Sequence, residues 1–426
     1  MGTIRFRKKA GWAAVIAFWA CTFPTLADSL IGSSQLQAVG LTSYWEAHLP
    51  LPPHDVVKEG YLVDEALYVI TDMGTLFSLQ ADVGLVRWAE KLTAPEFTIH
   101  KPTHLLTAAQ DGPAVILTSE GLFVLDRFTG ERKHTLTPDF AVASLPVGFN
   151  NMIFVGGSNG RFYSLRLPDG PQTGLLKRWE VVVDGAVTAT PLLYGAGKLL
   201  FATRGGTIYS CDALDKTLDW RFRIDGPILG DPAVNDSGVY VAGSDRSLYK
   251  FDGNTGRLLW RRRFPCELIE GPVVTTHTVY QYCEAQGLSA VDADSGEEEW
   301  RIPDGRVFAA RLQGQDAIFT KNRHLLFVNQ DSGEVTADIH AFGVVDVVTN
   351  PQDDSLYLLG RDGRVLCARP TNARYLRKQE MATAKDRLNL PPREDLGAVE
   401  AVLQRGAEER DESGDDPFRS RRDVRP

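Results

Sequence analysis

The sequence is poor in the residues from which metal centres and thiol chemistry are built. Five cysteines and eight histidines are spread over 426 residues. No CxxC, adjacent Cys-Cys pair or HExxH occurs, so the spacing of zinc clusters, thiol-redox motifs and zinc proteases is missing. A P-loop is absent as well, and the single GxSxG string, Gly156–Gly160, falls in a polar hairpin turn between two β-prone runs rather than at the strand-to-helix elbow of α/β-hydrolases. No segment beyond the first residues approaches the roughly 20 apolar residues that a membrane-spanning helix needs. Positive charge is short: 46 Lys and Arg stand against 55 Asp and Glu, a formal net charge of −9. Residues 1–27 hold four basic and no acidic side chains, so without them the charge is −13. Such a surface repels phosphate backbones, and a nucleic-acid partner is not expected.

What is present begins with a head unlike the rest. Arg5, Arg7, Lys8 and Lys9 precede the uncharged run Gly11–Phe23, and Thr25-Leu26-Ala27 follows. A basic region, a short apolar region and small residues before Asp28 read as a cleaved signal peptide over residues 1–27. An uncleaved anchor is one alternative. Lipidation at Cys21 is another, although Phe18-Trp19-Ala20 before it is bulky for that signal. The chain is therefore expected to be exported to the periplasm or cell envelope, with secretion as the alternative. It is not expected to carry an integral membrane domain.

The main signal is an internal repeat. Val239–Trp260 reads VYVAGSDRSLYKFDGNTGRLLW, and Val279–Trp300 reads VYQYCEAQGLSAVDADSGEEEW, starting 40 residues later. Leu199–Trp220 and Leu67–Trp88 match them, and weaker copies start near Ala114, Met152, Ala317 and Leu356. Each unit holds a β-prone run, a polar turn, a second apolar run, an Asp-rich turn ending in Gly, and a third run ending in Trp. Upstream stretches such as GPILGDPAV supply a fourth, innermost strand. A four-stranded unit of this kind cannot bury both faces alone; stacking around an axis buries each against the next.

Eight copies predict an all-β fold: an eight-bladed β-propeller of four-stranded antiparallel blades over residues 28–370. Seven blades is the alternative, because the copies near 114 and 317 are degenerate. The eighth unit stops near Pro370 without an outer strand, and Ser43–Leu49 (SYWEAHL) reads like the missing one. Closure by this N-terminal strand removes the free sheet edge. Trp45, Trp88, Trp179, Trp220, Trp260 and Trp300 are assigned as structural plugs between blades, each with about 150–250 Å² to bury. Gly130, Gly256 and Gly296 are assigned as the turn residues that take the left-handed backbone. Cys266 and Cys283 are the candidate disulfide, lying within one blade. Cys211 and Cys367, on opposite sides of the ring, are expected to stay apart.

These units resemble the repeats of the pyrroloquinoline-quinone-type (quinoprotein-like) β-propeller family over roughly residues 41–370. The family includes quinone-dependent alcohol dehydrogenases and the non-catalytic propeller of the outer-membrane β-barrel assembly machinery. The resemblance to the latter implies a scaffold that binds another protein or an envelope component. The alternative it implies is a dehydrogenase-like oxidoreductase acting on alcohols or sugars. Against that alternative, the paired cysteines of many such enzymes are missing. The aspartates Asp126, Asp252 and Asp292 fall in turns whose geometry already accounts for them. No catalytic residue, metal ligand or cofactor is assigned. His100 and His104 have i,i+4 spacing, but Pro102 argues against a shared helix face. Arg261, Arg262 and Arg263 are read as solvated charge on an outer strand, where successive side chains face opposite ways. Residues 371–426 carry 12 basic and 12 acidic side chains. They are expected to form a charged tail, with short helices at about 373–388 and 394–405 and disorder from Ala407 onward.

Overall fold

The computed structural model describes residues 29–106, 112–149, 151–168, 174–195 and 197–376. The expected signal peptide, and the tail from residue 377 on, lie outside these residues.

The described chain forms eight four-stranded antiparallel sheets. Blade 1 runs from Val57–Val63 to Val86–Lys91, blade 2 from Thr103–His104 to Arg132–Leu136, and blade 3 from Val147–Phe149 to Leu176–Val182. Blades 4, 5 and 6 begin at Leu192–Tyr194, Ala233–Asn235 and Val273–Val274, and end at Leu218–Arg223, Leu258–Arg263 and Glu298–Ile302. Blade 7 runs from Gly305–Leu312 to Val335–His340. Blade 8 combines Val344–Val348, Leu356–Gly360 and Arg364–Pro370 with the N-terminal strand Leu41–His48. That strand pairs antiparallel with Arg364–Pro370, from Leu41 opposite Pro370 to His48 opposite Arg364. Eight blades closed by the N-terminal strand is thus the architecture, and seven is excluded. Among the described residues no helix is long and apolar enough to cross a membrane.

Burial follows position within a blade. Middle strands such as Ala66–Thr71 and Gly238–Gly243 are buried along their whole length. They are packed on both faces by neighbouring blades, so their sequences read as continuous apolar runs rather than alternation. Outer strands such as Leu218–Arg223 alternate, with Trp220 inward and Asp219 and Arg221 outward. Every outer strand carries a register shift beside the position that Trp occupies in six blades. Such a bulge raises local twist and re-aims a side chain, here toward the next blade.

One element was not foreseen. Ser33–Ala38 forms a short helix, and the Gln35 side chain accepts a hydrogen bond from the Gly32 N–H at 3.2 Å. Leu30, Ile31 and Leu36 are buried in one cluster with Ile339, Leu358 and Leu366 of blades 7 and 8, and Ala337 packs against it. This segment fills the seam where the blade 7 outer strand has Ala337 in the place of Trp.

Candidate functional site

The recurrent tryptophans build a clasp between blades. The Trp260 indole N–H donates to the Ala293 carbonyl of blade 6 at 3.0 Å. Trp220 donates to Gly253 of blade 5, Trp300 to Gln330 of blade 7, Trp88 to Arg127 of blade 2 and Trp45 to Ala81 of blade 1, each at 3.0 Å. In every case the acceptor is the second residue of the turn between the third and fourth strands. Three residues further on stands a glycine against the indole. At Gly256, φ is +68° and a Cβ would lie 2.5 Å from the Trp220 ring; Gly296 and Gly130 stand likewise against Trp260 and Trp88. Any side chain would both strain this backbone and displace the ring. The tyrosines add to three clasps: the hydroxyls of Tyr240, Tyr194 and Tyr357 donate to the same carbonyls as Trp260, Trp220 and Trp45.

Turn aspartates shape the clasp from beneath. Asp252 accepts from the N–H groups of Asn254 and Thr255, and Asp126 from those of Phe128 and Thr129. Burial opposes the ionised form of Asp126, but Lys133 and these amides outweigh it and hold the carboxyl down at about 2. Hydrogen bonds from Thr255 and Ser295, ahead of the other causes, lower Asp252 and Asp292 respectively.

Trp179 differs. It lies half-buried against Phe154 and Phe162, with its indole N–H unpartnered. The turn it faces, Asp212–Lys216, carries Lys216 at φ +57° where other blades have glycine. Here Phe162 stacks on Phe201 at 4.0 Å instead. The seam from blade 2 to blade 3 has His134 at the Trp position and is packed by aliphatic residues such as Leu122, Leu136, Ile153 and Leu167.

Several seams also hold buried charge, such as Lys250 of blade 5 beside Asp294 of blade 6. Between blades 1 and 2, His104 Nδ1 lies 2.8 Å from Asp64 and its Nε2 lies 2.6 Å from the Tyr68 hydroxyl. Arg127 approaches Asp64 at 3.9 Å and Glu65 at 3.5 Å, and Arg87 reaches Glu65 at 3.4 Å. Asp64, Glu65 and His104 are close enough to ligate a metal ion together. Two guanidiniums already neutralise the two carboxylates and both imidazole nitrogens are engaged, so the donor set does not fit a cation. Between blades 6 and 7, Asp316 is fully buried, pairs with Arg311 at 3.2 Å and accepts from the Tyr280 hydroxyl. His104 was not grouped with these residues from the sequence. The available signal was Asp64-Glu65, two acids in a hairpin turn flanked by apolar runs.

Cys266 and Cys283 are disulfide-bonded, with Cα atoms 6.0 Å apart, while Cys211 and Cys367 are free and buried. The bond does not lie within one blade as expected. Cys266 sits in the connection between blades 5 and 6, and Cys283 ends the second strand of blade 6. It pins that connection, which presents Ile269 at 54% exposure. Beside it Glu270 makes a two-pronged pair with Arg306 at 2.7 Å, and Arg306 lies 4.2 Å over the Tyr282 ring. On the outer strand before it, Arg261 pairs with Asp245 and Arg262 with Glu298; the two reach different neighbours, as alternation requires.

The chain matches the family model described as outer membrane protein assembly factor BamB over residues 172–270 and 246–389. Among solved structures it is similar to BamB from Moraxella catarrhalis, with 18% identity and a TM-score of 0.61, covering 79% of this chain and 99% of that one. It is also similar to the computationally designed Ika8 protein, with 14% identity and a TM-score of 0.57, covering 76% of this chain and 98% of that one. No curated protein sequence matches it. At these identities the structural likeness speaks for the fold alone.

Proposed function

This chain belongs to the family described as outer membrane protein assembly factor BamB, and from that membership we propose that it is a non-catalytic scaffold of the cell envelope that binds another protein. The observation that carries the reading is the division of labour in the ring. Turn aspartates and seam charges are engaged in holding blades together, while pinned connections present apolar side chains outward. Rigid loops with exposed apolar tips are how scaffolds dock partners. Family membership supports a place in the periplasm, reached by cleavage of residues 1–27, with residues 371–426 as a charged extension.

The test is affinity capture of the mature protein from solubilised native envelopes, paired with a dye-linked oxidation assay. We expect one protein retained in near-stoichiometric amount, and no turnover of alcohols or sugars after addition of quinone and calcium. Clear turnover overturns the scaffold reading in favour of the dehydrogenase-like one.

A further inference from the structure

On the face formed by the interblade connections and the turns between second and third strands, blades 7 and 8 enclose a cavity of about 260 Å³. Its walls include Arg323, Phe342, Val344, Arg361, Asp362 and Arg364. Arg323 and Arg361 come from equivalent hairpin turns of the two blades, and Phe342 from the connection between them.

Phe342 is 71% exposed, yet its loop is held at both ends. Ala341 and Val344 are buried, Ala341 N–H donates to the Arg323 carbonyl at 2.9 Å, and Val344 N–H to Ala341 at 3.0 Å. The ring edge rests on His340, with centroids 3.5 Å apart, and His340 packs on His324. Other connections turn an apolar side chain inward, as Val187, Ile228 and Leu268 show. At this seam Leu30 of the N-terminal segment takes up space beside Gly343 and Gly360. Phe342 is thus left without a core role and aimed at solvent.

Charge singles out the same spot. Arg364 pairs with Asp362 at 2.7 Å. Among the described residues, no hydrogen bond or ion pair engages the Arg323 or Arg361 side chain. Two uncommitted guanidiniums flanking an exposed ring, on a chain of net charge −9, attract an acidic segment here and repel it elsewhere.

We propose that this cavity docks a short, extended, acidic segment of a protein partner, with an apolar side chain against Phe342 and Val344 and carboxylates on Arg323 and Arg361. The proposal rests on the scaffold reading and names the partner chemistry for it. Guanidinium–carboxylate pairing supplies direction, and the ring supplies burial at its centre.

The probe is a fluorescein-labelled, amidated peptide, Glu-Asp-Leu-Asp-Glu, titrated into the full mature protein by fluorescence anisotropy. Its Gln-Asn-Leu-Asn-Gln counterpart and vesicles of anionic phosphatidylglycerol are the controls. Saturable binding is expected, weakening with added salt. Arg323→Glu with Arg361→Glu, and separately Phe342→Ala, should each weaken it at least about tenfold without altering the melting curve. Absence of saturable binding, equal binding of the neutral peptide, or unchanged binding by the variants overturns the proposal. Binding to the vesicles but not to the peptide overturns it in favour of a lipid surface. If the protein captured from envelopes is retained equally by the variants, this site is wrong while the scaffold reading stands. If nothing is captured but the peptide binds through the two arginines, the site stands and the wider reading fails.

Discussion

Blades 4 to 7 and the join between blades 7 and 8 solve one packing problem in two ways. From blade 4 to blade 7 the seams are closed by Trp220, Trp260 and Trp300, each with an indole bond to the next turn and a glycine beneath the ring. At the join after blade 7 the Trp position is Ala337, and Leu30, Ile31 and Leu36 from outside the repeat supply the missing volume. A repeat ring stacks by nearest-neighbour interfaces. A seam can therefore lose its repeat residue if another part of the chain fills the gap to core density. The difference teaches that conserving the volume of the seam matters more than conserving the residue that provides it.

The largest effect should come from removing the substitute. Deleting residues 28–50 takes away both the filler and the outer strand of blade 8, so it should abolish cooperative unfolding or lower the melting temperature drastically. Deleting 407–426 should barely change it. Deleting only 29–38 leaves the strand Leu41–His48 in place and should cost about 4–8 kcal/mol, the burial of three large aliphatic side chains. Paired thermal and denaturant unfolding decides this. An N-terminal deletion that melts like the intact mature protein would remove the closure argument.

On the other side of the comparison, Trp260→Ala should cost about 3–5 kcal/mol, as truncation of a large aromatic side chain does. Trp179→Ala should cost less, since Trp179 makes no indole hydrogen bond and its seam is also held by the Phe162–Phe201 stack. Equal losses in denaturant titrations would show that the clasp geometry adds nothing to ring burial.

The clasps explain why the architecture could be read from the chain and the charged sites could not. Trp, the Asp-rich turn and its closing Gly recur at fixed spacing because each is demanded by a local geometry repeated around the ring. SYWEAHL was recognisable as an outer strand because Trp45 carries the same demand. The helix Ser33–Ala38 obeys no repeat: its burial depends on Ala337, three hundred residues away, being small. The Asp64–Glu65–His104–Arg127 network likewise draws on two blades. Its members are ordinary residues until the ring brings them within 4 Å of one another. Arg323, Arg361 and Phe342 were invisible for the same reason.

The closing seam between blades 8 and 1, clasped by Trp45, adds a titratable contact of its own. Asp346, on the innermost strand of blade 8, accepts from the Gly60 N–H of blade 1 at 2.8 Å. Burial raises its carboxyl to about 6, and nearby Glu59 adds to the rise against the opposing Gly60 and Val347 amides. An acid with a raised folded-state pKa binds more protons folded than unfolded, so its contribution is fullest below the unfolded value. That contribution is lost as pH climbs from about 4 to about 6. Asp346→Asn keeps an acceptor for Gly60 and should flatten this window, gaining up to about 3 kcal/mol at pH 7. Melting curves at stepwise pH test it; parallel profiles for both proteins would assign the closing seam no pH dependence of this origin.

The smallest effect sharpens the comparison most directly, because it rebuilds half a clasp where one is incomplete. Lys216 holds φ +57° in the turn facing Trp179, the place that Gly256 and Gly296 occupy beneath Trp220 and Trp260. A left-handed backbone costs a side-chain-bearing residue about 1–2 kcal/mol, and glycine gives back about 0.5–1 kcal/mol through its freer unfolded chain. Lys216→Gly should therefore stabilise the ring by about 0.5 kcal/mol through the backbone alone. If it also lets the Trp179 indole settle onto the Ala213 carbonyl, as Trp220 settles onto Gly253, a further gain of about 1 kcal/mol follows from satisfying a buried donor. A double-mutant cycle with Trp179→Phe, read by denaturant unfolding, separates the two contributions. A gain that survives the Phe substitution belongs to the backbone, and a gain that disappears belongs to the restored clasp. A loss of stability in Lys216→Gly would mean that the lysine side chain itself supports this seam, and that the Phe162–Phe201 stack is an alternative design rather than a repair.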